Sequence, residues 1–252
     1  MLTAYGSRGH LGVGVPQANP TVEPEIAALL PGGVSMHVTR LTSRAEQPRD
    51  RLIEYLARLD ATLERYDTLT LDAYGFACTA SSYIVGAEPE RRQTEALAEK
   101  FGYPVITSSQ AIAEALRHLG VGRIAMGSPY PDWLSELSHR FWRNAGFDVV
   151  GGKSVGLTGA DTRAIYKVGA DAALERFRTL LDVGCDCILI TGTGLPSLPV
   201  IAELQPLTST PILSSNLCLA WALRRELSLA SPPLESSAFR LLDGWQENLS
   251  RL

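Results

Sequence analysis

Three segments in the first half of this 252-residue chain recur in its second half, in the same order and at nearly constant spacing. PVITSSQAIAEALR (104–117) returns as PILSSNLCLAWALR (211–224), an offset of 107. DAYGFACT (72–79) corresponds to DCILITGT (186–193), an offset of 114, and VPQANPTV (15–22) overlays MGSPYPDW (126–133), an offset of 111. A repeat of this kind confines the chain to building one supersecondary unit twice. The two halves should then face each other about an approximate twofold axis.

The unit is a β/α one. Short β-rich runs at 11–16, 34–41, 68–76, 104–108, 123–128, 148–156, 185–192 and 211–215 alternate with longer stretches at 20–30, 47–64, 88–101, 109–119, 132–145, 160–182, 196–204 and 216–227 that read as helices. Alternation of this sort predicts parallel pairing, because a parallel neighbour is reached through a crossover helix. The expected fold is α/β, with two pseudo-symmetric lobes, each a four-stranded parallel sheet flanked by helices. The first lobe is expected over 1–109, completed by 218–252, and the second over 110–217; 228–252 reads as a C-terminal helical tail.

Ligands of open parallel sheets bind outside the carboxyl ends of the strands. The site should therefore lie in the cleft between the lobes, lined by the loops after the first and third strands of each half. These loops carry Pro16–Asn19 and Cys78–Ser82 in the first half, and Ser128–Tyr130 and Gly192–Ser197 in the second. The repeat makes Asn19 and Tyr130 symmetry partners, and likewise Cys78 and Gly192. Cys78 is expected as an exposed thiol near a helix start, where unpaired N–H groups favour a thiolate. Asn19 also reads as a helix cap and Tyr130 as seam packing. The TGTGLPSLP segment (191–199) brings glycines and hydroxyls that suit a carboxylate, although it is neither of the common phosphate-binding glycine motifs.

Composition narrows the partners. With 23 Lys+Arg against 27 Asp+Glu the chain has a formal net charge of −4, the wrong sign for a phosphate backbone. No apolar run is long enough to span a membrane, and the first residues lack the apolar core of a secretion signal, so a cytoplasmic protein is expected. Four cysteines without such a signal fit a reducing compartment, and with the four scattered histidines they form no zinc spacing. Cys185, Cys187 and Cys218 read as structural, and His10 has no evident pairing with Cys78.

Six segments, GVGVPQANPTVEPE, GFACTASSYIVG, PVITSSQAIAEAL, GSPYPDW, GLTGADTRAI and LITGTGLPSL, together resemble the aspartate/glutamate racemase superfamily, in its maleate isomerase and arylmalonate decarboxylase branch. The resemblance covers about residues 8–228. It implies an enzyme that needs neither metal nor organic cofactor, acting on a small carboxylate or dicarboxylate; the apolar SSYIVG segment and the C-terminal SSAFRLLDGWQENLSRL offer contact surfaces for a homo-oligomer. Racemases of the superfamily place one cysteine on each lobe. Here the first stands as Cys78, and Gly192 occupies the second position, which disfavours two-base racemisation of an amino acid. Arylmalonate decarboxylases also have a single cysteine, but on the second lobe, so the arrangement is inverted here.

The resemblance implies Cys78 as the catalytic residue, with Asn19, Thr79, Ser81, Tyr130, Gly192, Thr193 and Gly194 binding substrate. Decarboxylation of a malonate-type acid through an enediolate, protonated by Cys78, is the leading expectation. A maleate-type cis–trans isomerase with Cys78 as nucleophile is the alternative, and a non-catalytic carboxylate-binding relic is another. Two departures from the pattern, Ser135 and Asp161–Thr162 where asparagines are usual, point away from maleate itself; Ala80 stands where serine is usual, which removes one hydroxyl donor that Ser81 can replace. Tyr83, Trp133 and Leu195 are the expected specificity side chains.

Overall fold

The computed structural model describes residues 5–157, 159, 161–227 and 245–250. The first half runs β1 (Gly9–Pro16), α1 (Val22–Leu29), β2 (Val34–Leu41), α2 (Pro48–Ala57), α3 (Leu59–Leu63), β3 (Ala73–Phe76), α4 (Thr79–Val85), α5 (Ala87–Phe101), β4 (Val105–Thr107) and α6 (Ser108–His118). The second runs β5 (Arg123–Ser128), α7 (Asp132–Asn144), β6 (Asp148–Ser154), a 3-10 segment (Thr162–Lys167), α8 (Ala170–Phe177), β7 (Cys187–Ile190), α9 (Leu198–Leu204), β8 (Ile212–Ser214) and α10 (Ser215–Glu226). A short helix, α11 (Trp245–Leu249), ends the described chain; the rest of the expected tail, 228–244 and 251–252, lies outside the described residues.

Each half forms its own four-stranded sheet, ordered β2-β1-β3-β4 and β6-β5-β7-β8, and every pairing is parallel. The strands are short and apolar because both faces of a parallel sheet are covered. Leu11, Val13 and Val15 of β1 and Cys187–Ile190 of β7 are all buried.

The repeat appears again in how the helices start. In the first half Thr107 and Gln110 form a reciprocal capping box at the head of α6, and in the second Ser214 accepts from the Leu217 N–H at the head of α10. These two helices pack against each other, and α10 also lies on β3 and β4 of the first sheet. The Asn248 side chain of α11 donates to the Ala28 carbonyl at the end of α1.

Four expected elements differ. The stretch after Cys78 forms a helix, α4, absent from the expected set. Its Ser81 and Ser82 are buried through hydrogen bonds to Leu52 and Glu90, so it shows no amphipathic period. The helix expected over 47–64 breaks at Arg58, whose backbone leaves the helical region. The helix expected over 160–182 becomes a 3-10 segment and a shorter α8, divided at Val168–Gly169, whose backbone is extended. The strand expected over 68–76 keeps only its last four residues.

Candidate active site

A cleft between the carboxyl ends of the two sheets encloses about 410 Å³ of non-protein space, part of it open to solvent. Asn19, Cys78, Thr79, Tyr130, Gly192, Thr193 and Gly194 all line it, so seven of the eight expected site residues meet at one place. Ser81 stands behind the thiol instead. Its hydroxyl lies 2.7 Å from the Leu52 carbonyl and 3.3 Å from Cys78 Sγ. A hydroxyl has one proton and a carbonyl only accepts, so Ser81 can serve Leu52 while the thiol is protonated and turn to Sγ when it is not.

Cys78 is the residue immediately before α4 and is only 4% exposed, not the exposed thiol expected from its loop. Burial pushes its pKa up, while the Ser81 hydroxyl and the N–H groups of Ser81 and Ala80 at the helix start pull it down. The net direction is upward, which keeps the group a thiol at neutral pH. Cys187 and Cys218 are buried in the second sheet and in α10, away from the cleft, and Cys185 is half-buried just before β7. His10 stacks on His37 near the amino end of β1, at the opposite end of the sheet from Cys78.

The donors around the thiol are fixed by the fold. The Asn19 side-chain oxygen, Oδ1, accepts from the N–H groups of Thr21 and Val22 at 2.8 and 3.3 Å, which orients the side-chain nitrogen toward Thr193 Oγ1. Asn19 thus closes the turn into α1, whose N-cap is Thr21, and presents a donor to the cleft. Thr193 Oγ1 donates to the Ala77 carbonyl, tying the second-half loop to the residue before Cys78. The Tyr130 hydroxyl lies 2.7 Å from Thr79 Oγ1, and burial holds its pKa well above the ordinary phenol value, so it stays a donor. The N–H groups of Thr79, Thr193 and Gly194 have no backbone acceptor among the described residues.

Gly192 has a φ of +95°, and a Cβ there would stand 2.8 Å from Pro129 Cδ and Cγ. Gly194 is equally constrained, since a Cβ would meet the Tyr166 ring at 2.6 Å. Both glycines let the backbone approach closely, and neither position has space for a side chain.

Beneath the cleft, Glu25 of α1 accepts from the N–H groups of Ser197 and Leu198, the Ser197 hydroxyl and the Asn216 amide. It therefore caps α9 from the other half of the molecule. Asn216 also donates to the Thr193 carbonyl, so this buried carboxylate supports the loop that carries the donors.

The remaining wall was not expected from sequence. Beside the expected Pro16, Leu52, Tyr55, Ile165 and Tyr166 supply an apolar and phenolic surface, and Arg51 places a guanidinium in it. None of Tyr83, Trp133 and Leu195 lines the cleft. Tyr83 is packed among Tyr130, Phe141 and Trp142, and Leu195 is in the core. The signal for the correct wall was in the repeat: the offset of 111 pairs Arg51 with Thr162 and Tyr55 with Tyr166.

A thiol, a ring of N–H and hydroxyl donors and an apolar wall, set between two duplicated sheets, are the setting that comparison with known proteins then places. Residues 11–239 match the family model described as arylmalonate decarboxylase. The chain belongs to the arylmalonate decarboxylase family. The match extends past residue 228 into the C-terminal segment, further than the sequence resemblance reached. Within this family of enzymes, the chain is 28% identical to a maleate isomerase of Pseudomonas putida over 93% of its own length and 97% of the relative's. It is 28% identical to the arylmalonate decarboxylase of Bordetella bronchiseptica over 68% of this chain and 70% of that one. The crystal structure of a Pseudomonas putida maleate isomerase with maleate superposes with a TM-score of 0.80, covering 94% of this chain and 98% of that one at 24% identity, which shows the common fold. Among the described residues no helix is long and apolar enough to cross a membrane.

Proposed function

We propose that this protein is a cofactor-independent lyase that decarboxylates a small malonate-type acid, with Cys78 as the proton donor. The observation that carries the reading is one buried thiol, held protonated by burial, on a cleft whose symmetry-related position is a glycine. Such a site has a thiol on one face only, and decarboxylation needs one proton donor.

In this reading one substrate carboxylate lies against the N–H groups of Thr79, Thr193 and Gly194 and the Tyr130 hydroxyl, and the other faces the apolar wall. The bond from the α-carbon to the second carboxylate breaks, its electron pair moves into the first, and CO₂ departs. The resulting enediolate is stabilised by the fixed donors, which need no reorganisation as charge develops. Cys78 then transfers its S–H proton to the α-carbon. The thiolate left behind is met by the Ser81 hydroxyl and the N–H groups at the start of α4, and regains a proton from water.

Because the thiol stands on the first half, protonation reaches the opposite face of the α-carbon from that used by a decarboxylase with its cysteine on the second. The test is turnover of a prochiral arylmalonate in deuterium oxide, with deuterium content read by proton NMR and product handedness by chiral chromatography against the product of the Bordetella bronchiseptica enzyme. A product of opposite configuration carrying one deuterium supports the proposal. A racemic product, or one of the same hand, overturns it.

Cis–trans isomerisation of a maleate-like diacid is the second reading. Two observations favour it: the near full-length likeness to a maleate isomerase and a cleft guanidinium able to hold a second carboxylate. Conversion of maleate to fumarate in the same screen would select it. Loss of turnover in Cys78→Ala with binding intact separates either enzyme from a binding relic.

A further inference from the structure

Arg51 is the most unusual residue of the cleft. It projects from α2, its side chain is 4% exposed, and it lines the same cavity as Cys78. Both contacts it makes come from one nitrogen: Nη2 donates to Asp161 Oδ1 at 2.9 Å and approaches Thr162 Oγ1 at 3.5 Å. Its Nε and Nη1 have no hydrogen-bond partner among the described residues. With Nε and Nη1 unanswered by protein, this guanidinium keeps donors free for a ligand in the cleft.

The counter-ion is also only partly committed. Asp161 is 45% exposed and shares its carboxylate with Arg163, whose contacts hold its pKa down at about 2. Arg51 thus faces the cavity with a charge half answered by the protein.

We infer that Arg51 recognises a second carboxylate of the substrate, one that is retained through the reaction. The inference rests on the proposed function only in taking this cleft as the substrate site. The retained group follows from the chemistry. A cation gripping the carboxylate that departs as CO₂ would stabilise the ground state more than the transition state and slow the reaction. Nor does Arg51 belong to the donor ring, which is built from Thr79, Tyr130, Thr193 and Gly194. The group it holds is therefore a further one, either the distal carboxylate of a malonate carrying a carboxymethyl substituent or the second carboxylate of a cis-unsaturated diacid. Both place two retained carboxylates about two carbons apart, as in succinate. Planar, forked recognition of a carboxylate is what arginine does best.

Succinate and butyrate, equal in carbon number and differing in one carboxylate, are the probes, with binding to the whole protein measured by calorimetry. Succinate is expected to bind at least about tenfold more tightly than butyrate. Arg51→Gln should bring the two affinities together. Asp161→Asn, which removes an exposed competitor for Arg51, should tighten succinate several-fold and leave butyrate unchanged. Equal affinities in the native protein, absence of succinate binding, or a preference that survives Arg51→Gln each overturn the inference. Should Arg51→Gln fail to fold, an unchanged succinate-to-butyrate ratio in Asp161→Asn overturns it alone. These are binding measurements on an unreactive acid, so failure of every malonate and of maleate to turn over would strike the proposed function and leave this result standing.

Discussion

Gly192 is closed against Pro129: a Cβ on the glycine would lie 2.8 Å from the proline ring, on a backbone whose φ is +95°. The position related by the repeat to Cys78 thus has no space for a thiol. Gly192→Ala is expected to lower stability by about 2–4 kcal/mol, through left-handed strain and overpacking together. Denaturant unfolding measures this. Gly192→Cys is expected to yield no racemase, and appearance of amino-acid racemisation in that variant would show that the loop adapts.

Alkaline pH should inactivate the enzyme by removing the Cys78 proton. The thiol pKa is raised, so the acid form is retained through neutrality and lost only above the ordinary value of roughly 8.5. Activity should be level in the neutral range and fall at higher pH. Ser81→Ala removes an interaction that lowers this pKa, and so should move the alkaline limb to higher pH while kcat at neutral pH changes less. Alkylation should follow exposure: iodoacetamide should reach the half-buried Cys185 before the buried Cys78, and succinate should protect only Cys78. Peptide mapping against pH reads both.

Tyr130→Phe keeps the ring and deletes the hydroxyl 2.7 Å from Thr79 Oγ1. If that hydroxyl stabilises the enediolate, kcat should fall on the order of 10²-fold with a smaller change in KM. An equal loss in Thr79→Val, without further loss in the double variant, would show that the pair acts as a unit.

Glu90 should make stability depend on pH. It is buried beside Ser82, and burial raises its pKa from 4.5 to about 7. The folded state therefore binds more protons than the unfolded state between those values. Its destabilising effect begins as pH rises above about 4.5 and is complete above about 7. Glu90→Gln should remove that dependence, with a gain on the order of 3 kcal/mol at pH 8 as an upper bound. Parallel unfolding curves for the two proteins from pH 5 to 8 would contradict it.

The sheets and the meeting of Asn19, Cys78, Tyr130 and Gly192 were legible because they follow from two strong regularities, strand–helix alternation and the internal repeat. α4 was not, since its polar face is buried by hydrogen bonds that no hydropathy pattern records. Arg51 escaped for a related reason: a charged residue early in an amphipathic helix ordinarily reads as solvent-facing, and only the pairing of Tyr55 with Tyr166 at the repeat offset marks α2 as part of the cleft. The upward pKa of Cys78 was hidden because depth of burial is a property of the assembled halves. Local sequence shows only the opposing helix start.

The two halves are joined by different materials at equivalent places. The first helix of the first half reaches the third helix of the second through Glu25 and its four donors. The equivalent contact in the other direction, α7 against α4, is made by Trp142 donating to the Tyr83 hydroxyl within an aromatic cluster. The halves share one plan, yet at this seam their parts are not interchangeable. Two first halves brought together would set Glu25 near the packed ring of Tyr83, a charge against an apolar surface. The two halves are a matched pair, and each carries a seam that only the other can complete.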